Sequence, residues 1–127
     1  MSIYGIGTDI IDIARIKRAL NKNRNFKNKI FSQNEVKFID SKSNKTASYA
    51  KRFAAKEAFS KAIGTGISKG ISFKDISINN DKMGRPYIEL LGKTKYIVKS
   101  LIKKRYKIFL TISDEQKYAL ATVVITY

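Results

Sequence analysis

This 127-residue chain has no cysteine, no histidine and no tryptophan, a single proline, and only 10 acidic residues against 26 lysines and arginines. Without cysteine there are no disulfides, thiolate nucleophiles, zinc knuckles or iron–sulfur clusters. Without histidine, the commonest general base and the commonest transition-metal ligand are missing too. Serine–histidine hydrolases, zinc enzymes and papain-like proteases are thereby excluded. A metal held by side chains must sit on oxygen, which selects a hard ion such as Mg²⁺ or Ca²⁺. No apolar run approaches the ~20 residues that cross a bilayer. Met1 leads into a strand-like segment rather than a signal-peptide profile, so the expectation is a cytoplasmic protein with no membrane partner.

What is present fits one domain over residues 1–127, with 43% hydrophobic residues to fill one core and no repeat, low-complexity tract or linker. A net charge of +16 asks for anionic partners: nucleic acid, an acidic protein surface or a polyphosphate ligand. The lysines are scattered rather than blocked, as a compositionally biased genome would also produce. Aromatic residues do not interleave with a basic stripe as nucleic-acid stacking platforms require, so no nucleic-acid partner is expected.

Ile3 to Ile13 alternates and is β-branched, with Gly5 and Gly7 inserted, and reads as a strand packed closely against a neighbour. Ala14 to Leu20 reads as a helix, Asn21 to Lys29 as a loop, and Gln33 to Ile39 as a short helix behind the N-cap Ser32. The longest helical signal runs from about Thr46 to Ile63, is rich in alanine and closes at Gly64. Phe73 to Ile78 and Tyr87 to Leu91 read as strands joined by a turn containing Asp81, Gly84 and Pro86. Thr94 to Lys104 reads as a helix, then Ile108 to Ser113 and Tyr118 to Tyr127 as a hairpin. The expected class is α+β, a mostly antiparallel sheet packed on one long helix.

Most carboxylates sit among polar neighbours or at turns, and Glu35, Asp40, Asp75, Asp81 and Glu89 are expected to be solvated and structural. Asp9 and Asp12 differ because they interrupt an apolar run. Alternation puts Asp9 on a face with Ile3, Ile11 and Ile13, and Asp12 on the face of Ile6 and Ile10. A carboxylate facing a core needs a partner or a metal. Lysine pairing or, for Asp12, capping of the following helix would serve equally. Glu57 is the second anomaly, since it shares a helix face with Ala50, Phe53, Ala54, Ala58 and Lys61. Two readings stay open for it: an i, i+4 pair with Lys61, or a second oxygen ligand beside Asp9 with Lys61 near a phosphate. The glycines of Gly5 to Gly7 and Gly64 to Gly70 match neither a Walker loop nor a dinucleotide fingerprint.

Two blocks taken together resemble the holo-acyl-carrier-protein synthase family of 4′-phosphopantetheinyl transferases. One is Gly5-Ile6-Gly7-Thr8-Asp9-Ile10 with Arg15-Ile16 beyond it; the other runs from Arg52-Phe53-Ala54-Ala55-Lys56-Glu57-Ala58 through Lys61 to Gly66. Asp81 to Tyr87 and the terminal segment Ala119 to Ile125 support them in order and spacing. The resemblance implies Mg²⁺-dependent transfer of the phosphopantetheine arm of coenzyme A to a serine of apo-acyl carrier protein, releasing adenosine 3′,5′-bisphosphate, for fatty acid biosynthesis. By matched position it implies Asp9 and Glu57 as metal ligands, with Glu57 and Lys61 catalytic and Lys61 on the pyrophosphate. Arg52, Lys61, Gly64, Gly84, Arg85 and Pro86 become coenzyme A-binding residues, with Arg85 a candidate for the 3′-phosphate. Arg15, Arg24 and Phe26 fall in the carrier-protein docking region. Members of this short type are homotrimers with sites between subunits, so Asp9 and Glu57 are expected to serve a site completed by another chain.

The sequence departs from the family at Asp114, which stands where a histidine is usual. A carboxylate near phosphates repels them unless lysines such as Lys107 or Lys117 compensate. With no histidine, the base for the attacking serine is Glu57 or a metal-bound hydroxide. Two other classes also fit the composition: a small nucleic-acid-binding protein, and a trimer that has lost activity with its histidine.

Overall fold

The computed structural model describes all residues, 1–127. In chain order the elements are β1 (Ile3–Asp12), α1 (Ile13–Lys22), α2 (Phe26–Ile30), α3 (Gln33–Asp40), α4 (Lys45–Ile63), β2 (Ile76–Asn80), β3 (Pro86–Leu90), α5 (Gly92–Ile102), β4 (Lys107–Asp114) and β5 (Tyr118–Thr126). The strands form two antiparallel sheets rather than one: β1-β5-β4 and the hairpin β2-β3. The class is α+β.

α4 lies across the three-stranded sheet, and small residues on both sides set how closely it approaches. Ala50, Ala54 and Ala58 of α4 and Ala119, Ala121 and Val123 of β5 are fully buried. A Cβ on Gly5 would collide with the Ala62 carbonyl oxygen, and one on Gly7 with that of Ala58. The strand backbone therefore touches the helix backbone, as the inserted glycines predict. Backbone on both sides cannot yield, so Gly7→Ala should cost at least about 2 kcal/mol of stability in urea denaturation. A smaller loss would mean that α4 can slide away from β1.

The opposite face of this sheet has no cover within the chain. Register places Ile6, Val124 and Phe109 in one row and Ile10 and Leu120 in another, with Thr8, Thr122 and Thr111 between them. Ile6 and Ile10 are 61% and 62% exposed. A bulge between Ile3 and Gly5 turns Ile3 outward, and Ile13 already belongs to α1, so of the expected inner set only Asp9 and Ile11 face α4. Asp12 caps α1 by accepting from the Ala14 N–H at 2.8 Å.

Glu35 overturns the expectation of a solvated carboxylate. It is fully buried, and its Oε1 accepts from Lys56 Nζ at 2.7 Å. The Lys56 ammonium also donates to the Phe73 and Ile76 carbonyls, so one cation joins α3, α4 and the entry to β2. Burial lowers the Lys56 pKa to about 8, with Glu35 opposing the shift. Glu35 additionally completes a capping box with Ser32 at the start of α3, and its Oε2 has no partner.

Several element boundaries also differ from the sequence reading, most by one or two residues. The expected loop 21–29 contains the start of α2, whose Phe26 and Ile30, one turn apart, pack onto the core. β2 begins only at Ile76, because Phe73 leaves the strand line to stack on Phe53 with centroids 5.2 Å apart. α5 runs 92–102 rather than 94–104, stopped by Lys103 in a left-handed conformation.

Candidate active site

Gly7 brings β1 against α4, and two residues later Asp9 meets the last turns of that helix. Lys61 Nζ donates to Asp9 Oδ1 at 3.0 Å and to the Thr8 carbonyl at 2.9 Å. The ion-pair partner of Lys61 is thus Asp9 across the interface, not Glu57 on its own helix. Glu57 lies half-buried beside them. Burial, and then the negative charge of Asp9, push its carboxyl above the usual range, while Lys61 pulls it back in part. Two crowded carboxylates, one already disfavoured as an anion, are what a divalent cation relieves. Two carboxylates with substrate phosphates and water also form a common Mg²⁺ donor set. This chemistry fits Asp9 and Glu57 as the protein ligands of such an ion.

Arg52 lies elsewhere. It sits five residues before Glu57, roughly 140° around the helix, and about 13 Å along the axis from Lys61. Its guanidinium is buried over the Phe38 ring at 5.1 Å and donates to Asn80 Oδ1 at 2.8 Å and the Ser48 carbonyl at 3.3 Å. Burial lowers its pKa, and its Nε has no partner. Arg52 lines a cavity of about 390 Å³ that opens at the start of α4 together with Lys42, Lys51, Asn80, Gly84 and Pro86. Asp81 shapes the adjoining turn by accepting from the Met83 and Arg85 N–H groups, both at 2.9 Å, and Gly84 supplies the positive φ of 85° that the turn needs. Arg85 is exposed at the end of that turn and is not among the residues lining the cavity.

The structure therefore divides the expected site residues into two groups, Asp9–Glu57–Lys61 and Arg52–Gly84–Pro86, which one chain does not bring together. Gly64 belongs to neither; with φ 92° it is the left-handed C-cap of α4. Arg15 and Arg24 are exposed, whereas Phe26 is half-buried, its ring stacked on Phe53 and edge-on to Phe31. Asp114 ends β4 and pairs with Lys51 at 3.2 Å. The lysine that pairs with Asp114 is thus neither Lys107 nor Lys117. Lys51 and Lys42 were not singled out in the sequence, although Lys51 adjoins Arg52 within the signature block.

The family profile of the 4′-phosphopantetheinyl transferase superfamily matches residues 5–123. The chain belongs to this superfamily. Its relatives include a holo-[acyl-carrier-protein] synthase of Pelagibacter ubique, 48% identical over 98% of both chains. Among solved structures, the holo-[acyl-carrier-protein] synthase of Neisseria meningitidis superposes with a TM-score of 0.88 at 37% identity, covering 98% of this chain and 99% of that one. The Bacillus anthracis enzyme in complex with CoA (3′,5′-ADP) gives 0.80 at 37% identity, covering 98% and 97%. The protein is accordingly a phosphopantetheinyl transferase, and an inventory without histidine or cysteine is compatible with chemistry that depends on positioning and charge neutralisation. No helix is long and apolar enough to cross a membrane.

Proposed function

We propose that the chain transfers the 4′-phosphopantetheine group of coenzyme A to a serine of apo-acyl carrier protein, in a Mg²⁺-dependent step that supplies carrier protein for fatty acid biosynthesis. The serine Oγ attacks the phosphorus bearing the pantetheine arm. The pyrophosphate P–O bond breaks, and adenosine 3′,5′-bisphosphate leaves with the electron pair. The observation that carries this reading is the pair of carboxylates Asp9 and Glu57, with Lys61 bridging to Asp9, in a superfamily whose solved relatives include a complex with CoA (3′,5′-ADP). Bound there, Mg²⁺ would supply charge neutralisation at the pyrophosphate. Asp9 and Glu57 would hold it, and Lys61 places an ammonium at the same end to meet the phosphoryl oxygens. Glu57 would take the serine's proton.

The second group of residues would take the nucleotide. A cavity of about 390 Å³ is within the range of small-ligand sites, and its cations suit a phosphorylated nucleoside. Because the two groups lie on different parts of α4, a site using both would join one chain's Asp9, Glu57 and Lys61 to a neighbour's cavity. The uncovered apolar rows, Ile6 with Phe109 and Ile10 with Leu120, would give a homotrimer a surface on which to form. Arg15 and Arg24, exposed on and just after α1, would steer the acidic carrier protein. Phe26 would contribute only its exposed edge. Arg15→Glu should raise KM for carrier protein by about tenfold and leave KM for coenzyme A unchanged, as loss and reversal of an interfacial charge predict. Equal rises in both would place Arg15 in the shared site or the fold instead.

Calorimetric titration of coenzyme A with and without Mg²⁺ tests the reading. Mg²⁺ should tighten binding to the wild type and not to Glu57→Gln. An identical Mg²⁺ effect on both would remove Glu57 from the metal site.

A further inference from the structure

α5 carries two stripes side by side. Thr94, Val98 and Ile102, four residues apart, are buried; Lys95, Lys99 and Lys103, each one position further on, are exposed. Lysines at that spacing repel one another, and the helix dipole offsets this only at the last turn. The chain leaves α5 through Lys103 at φ 60°, and Lys104 and Arg105 join the same wall. These five cations and Tyr106 line one cavity of about 610 Å³. None of the five has an ion-pair partner, and no acidic residue stands between Glu89 and Asp114 in the sequence. A second cavity, of about 460 Å³, meets the first at Lys95 and Tyr106, which line both. Its other walls are Tyr87, Ile88, Leu90 and Ile108 of β3 and β4, with a single acid, Glu89. Glu89 is exposed and accepts from Asn79 Nδ2 at 2.7 Å.

We infer that the joined cavities bind one amphiphilic anion, an alkyl or acyl chain bearing a phosphate head. The lysine cavity takes the head. Cations gathered in a concavity concentrate positive potential, and the Arg105 guanidinium offers a fork that matches phosphate oxygens. The tail runs past Lys95 and Tyr106 onto Ile88, Leu90 and Ile108, where it removes apolar surface from water. Charge fixes the direction, because Glu89 repels the head at the apolar end. A flat anionic bilayer could meet the lysine tips but not Leu90, which is only 9% exposed, so the shape favours a single molecule. No residue of the Asp9–Glu57–Lys61 or Arg52–Gly84–Pro86 groups lines either cavity, and the inference does not rest on the proposed transfer reaction.

Calorimetric titration of the full chain with hexyl phosphate, decyl phosphate and neutral decyl maltoside, each below its micelle concentration, reads head and tail separately. Decyl phosphate should bind at least about tenfold tighter than hexyl phosphate, because four further methylenes become partly buried. Decyl maltoside should bind at least about tenfold more weakly than decyl phosphate. The double variant Lys99→Gln/Lys103→Gln should weaken decyl phosphate about tenfold, with melting temperature and transfer rate unchanged. Ile108→Ala should shrink the decyl-to-hexyl difference about threefold. Should that variant fail to fold, the chain-length comparison in the wild type still decides the tail. Equal affinity for hexyl and decyl phosphate would overturn the tail assignment, and equal affinity for decyl maltoside and decyl phosphate that of the head. Wild-type affinity in the lysine double variant would remove the head from this cavity and overturn the inference. So would binding to phosphatidylglycerol vesicles without binding to monomeric decyl phosphate, which would make α5 a surface for bilayers instead.

Discussion

Replacing Glu57 by glutamine or Asp9 by asparagine should slow phosphopantetheine transfer by about 10²–10³-fold at limiting Mg²⁺, the usual scale for losing one preorganised electrostatic contact in a transition state. Both changes keep side-chain shape and remove charge, so the fold should survive them. Glu57 offers a second readout. Its carboxyl is raised by burial and by Asp9, which means that its negative charge opposes folding of the metal-free chain. Glu57→Gln should therefore melt at or above the wild-type temperature in EDTA while losing activity. Asp9→Asn has the opposite expectation, because it leaves Lys61 without its ion-pair partner. Transfer rates across a Mg²⁺ series, with thermal melts in EDTA, check both. Near-full activity in either variant at limiting Mg²⁺ would exclude that residue as a ligand.

Lys56→Met should have the largest effect on stability, about 3–5 kcal/mol in urea denaturation. The lysine is fully buried, and its removal strands the Glu35 carboxylate with no cation and leaves two carbonyls, those of Phe73 and Ile76, without their donor. A paired replacement, Glu35→Leu with Lys56→Met, should recover only the part due to the stranded carboxylate, since the Phe73 and Ile76 carbonyls stay without their donor and the Ser32 N–H loses its acceptor. A Lys56→Met loss below about 1 kcal/mol would show that the buried pair is not what fixes α4 against α3 and β2. Arg52 would feel the same change, because its Asn80 partner stands on β2. The buried pair and the cavity at the start of α4 thus share one strand, β2.

Much of this was legible before the structure. Glycines two residues apart in a β-branched run signalled backbone touching backbone, and Gly5 and Gly7 do meet Ala62 and Ala58. Helical spacing put Glu57 and Lys61 on one face and strand alternation put Asp9 opposite a core, but only the family resemblance coupled the two carboxylates; periodicity alone left an ordinary Glu57–Lys61 pair open. Spacing within one element could not show that Lys61 would prefer Asp9 over its own i−4 neighbour, because that choice depends on where β1 crosses the helix. Glu35 was misjudged for a related reason. Its polar neighbours suggested solvent, although the Ser32-x-x-Glu35 box marked it as a helix-capping residue whose carboxylate turns back toward the chain. Burial came from Lys56, 21 residues away, a pairing that local pattern does not encode. Asp114 was expected in the hairpin turn, whereas it closes β4, and its partner Lys51 lies on α4, so only the fold could reveal which lysine answers it.

The most direct measurement is the mass of the acceptor. Apo-acyl carrier protein incubated with the purified chain, coenzyme A and Mg²⁺ should gain one phosphopantetheine group on a serine, read by intact-protein mass spectrometry. Adenosine 3′,5′-bisphosphate should appear in equal amount, and neither product should form in EDTA. An acceptor of unchanged mass, under conditions where a related holo-[acyl-carrier-protein] synthase converts it fully, would contradict the assignment of transferase activity to Asp9, Glu57 and Lys61.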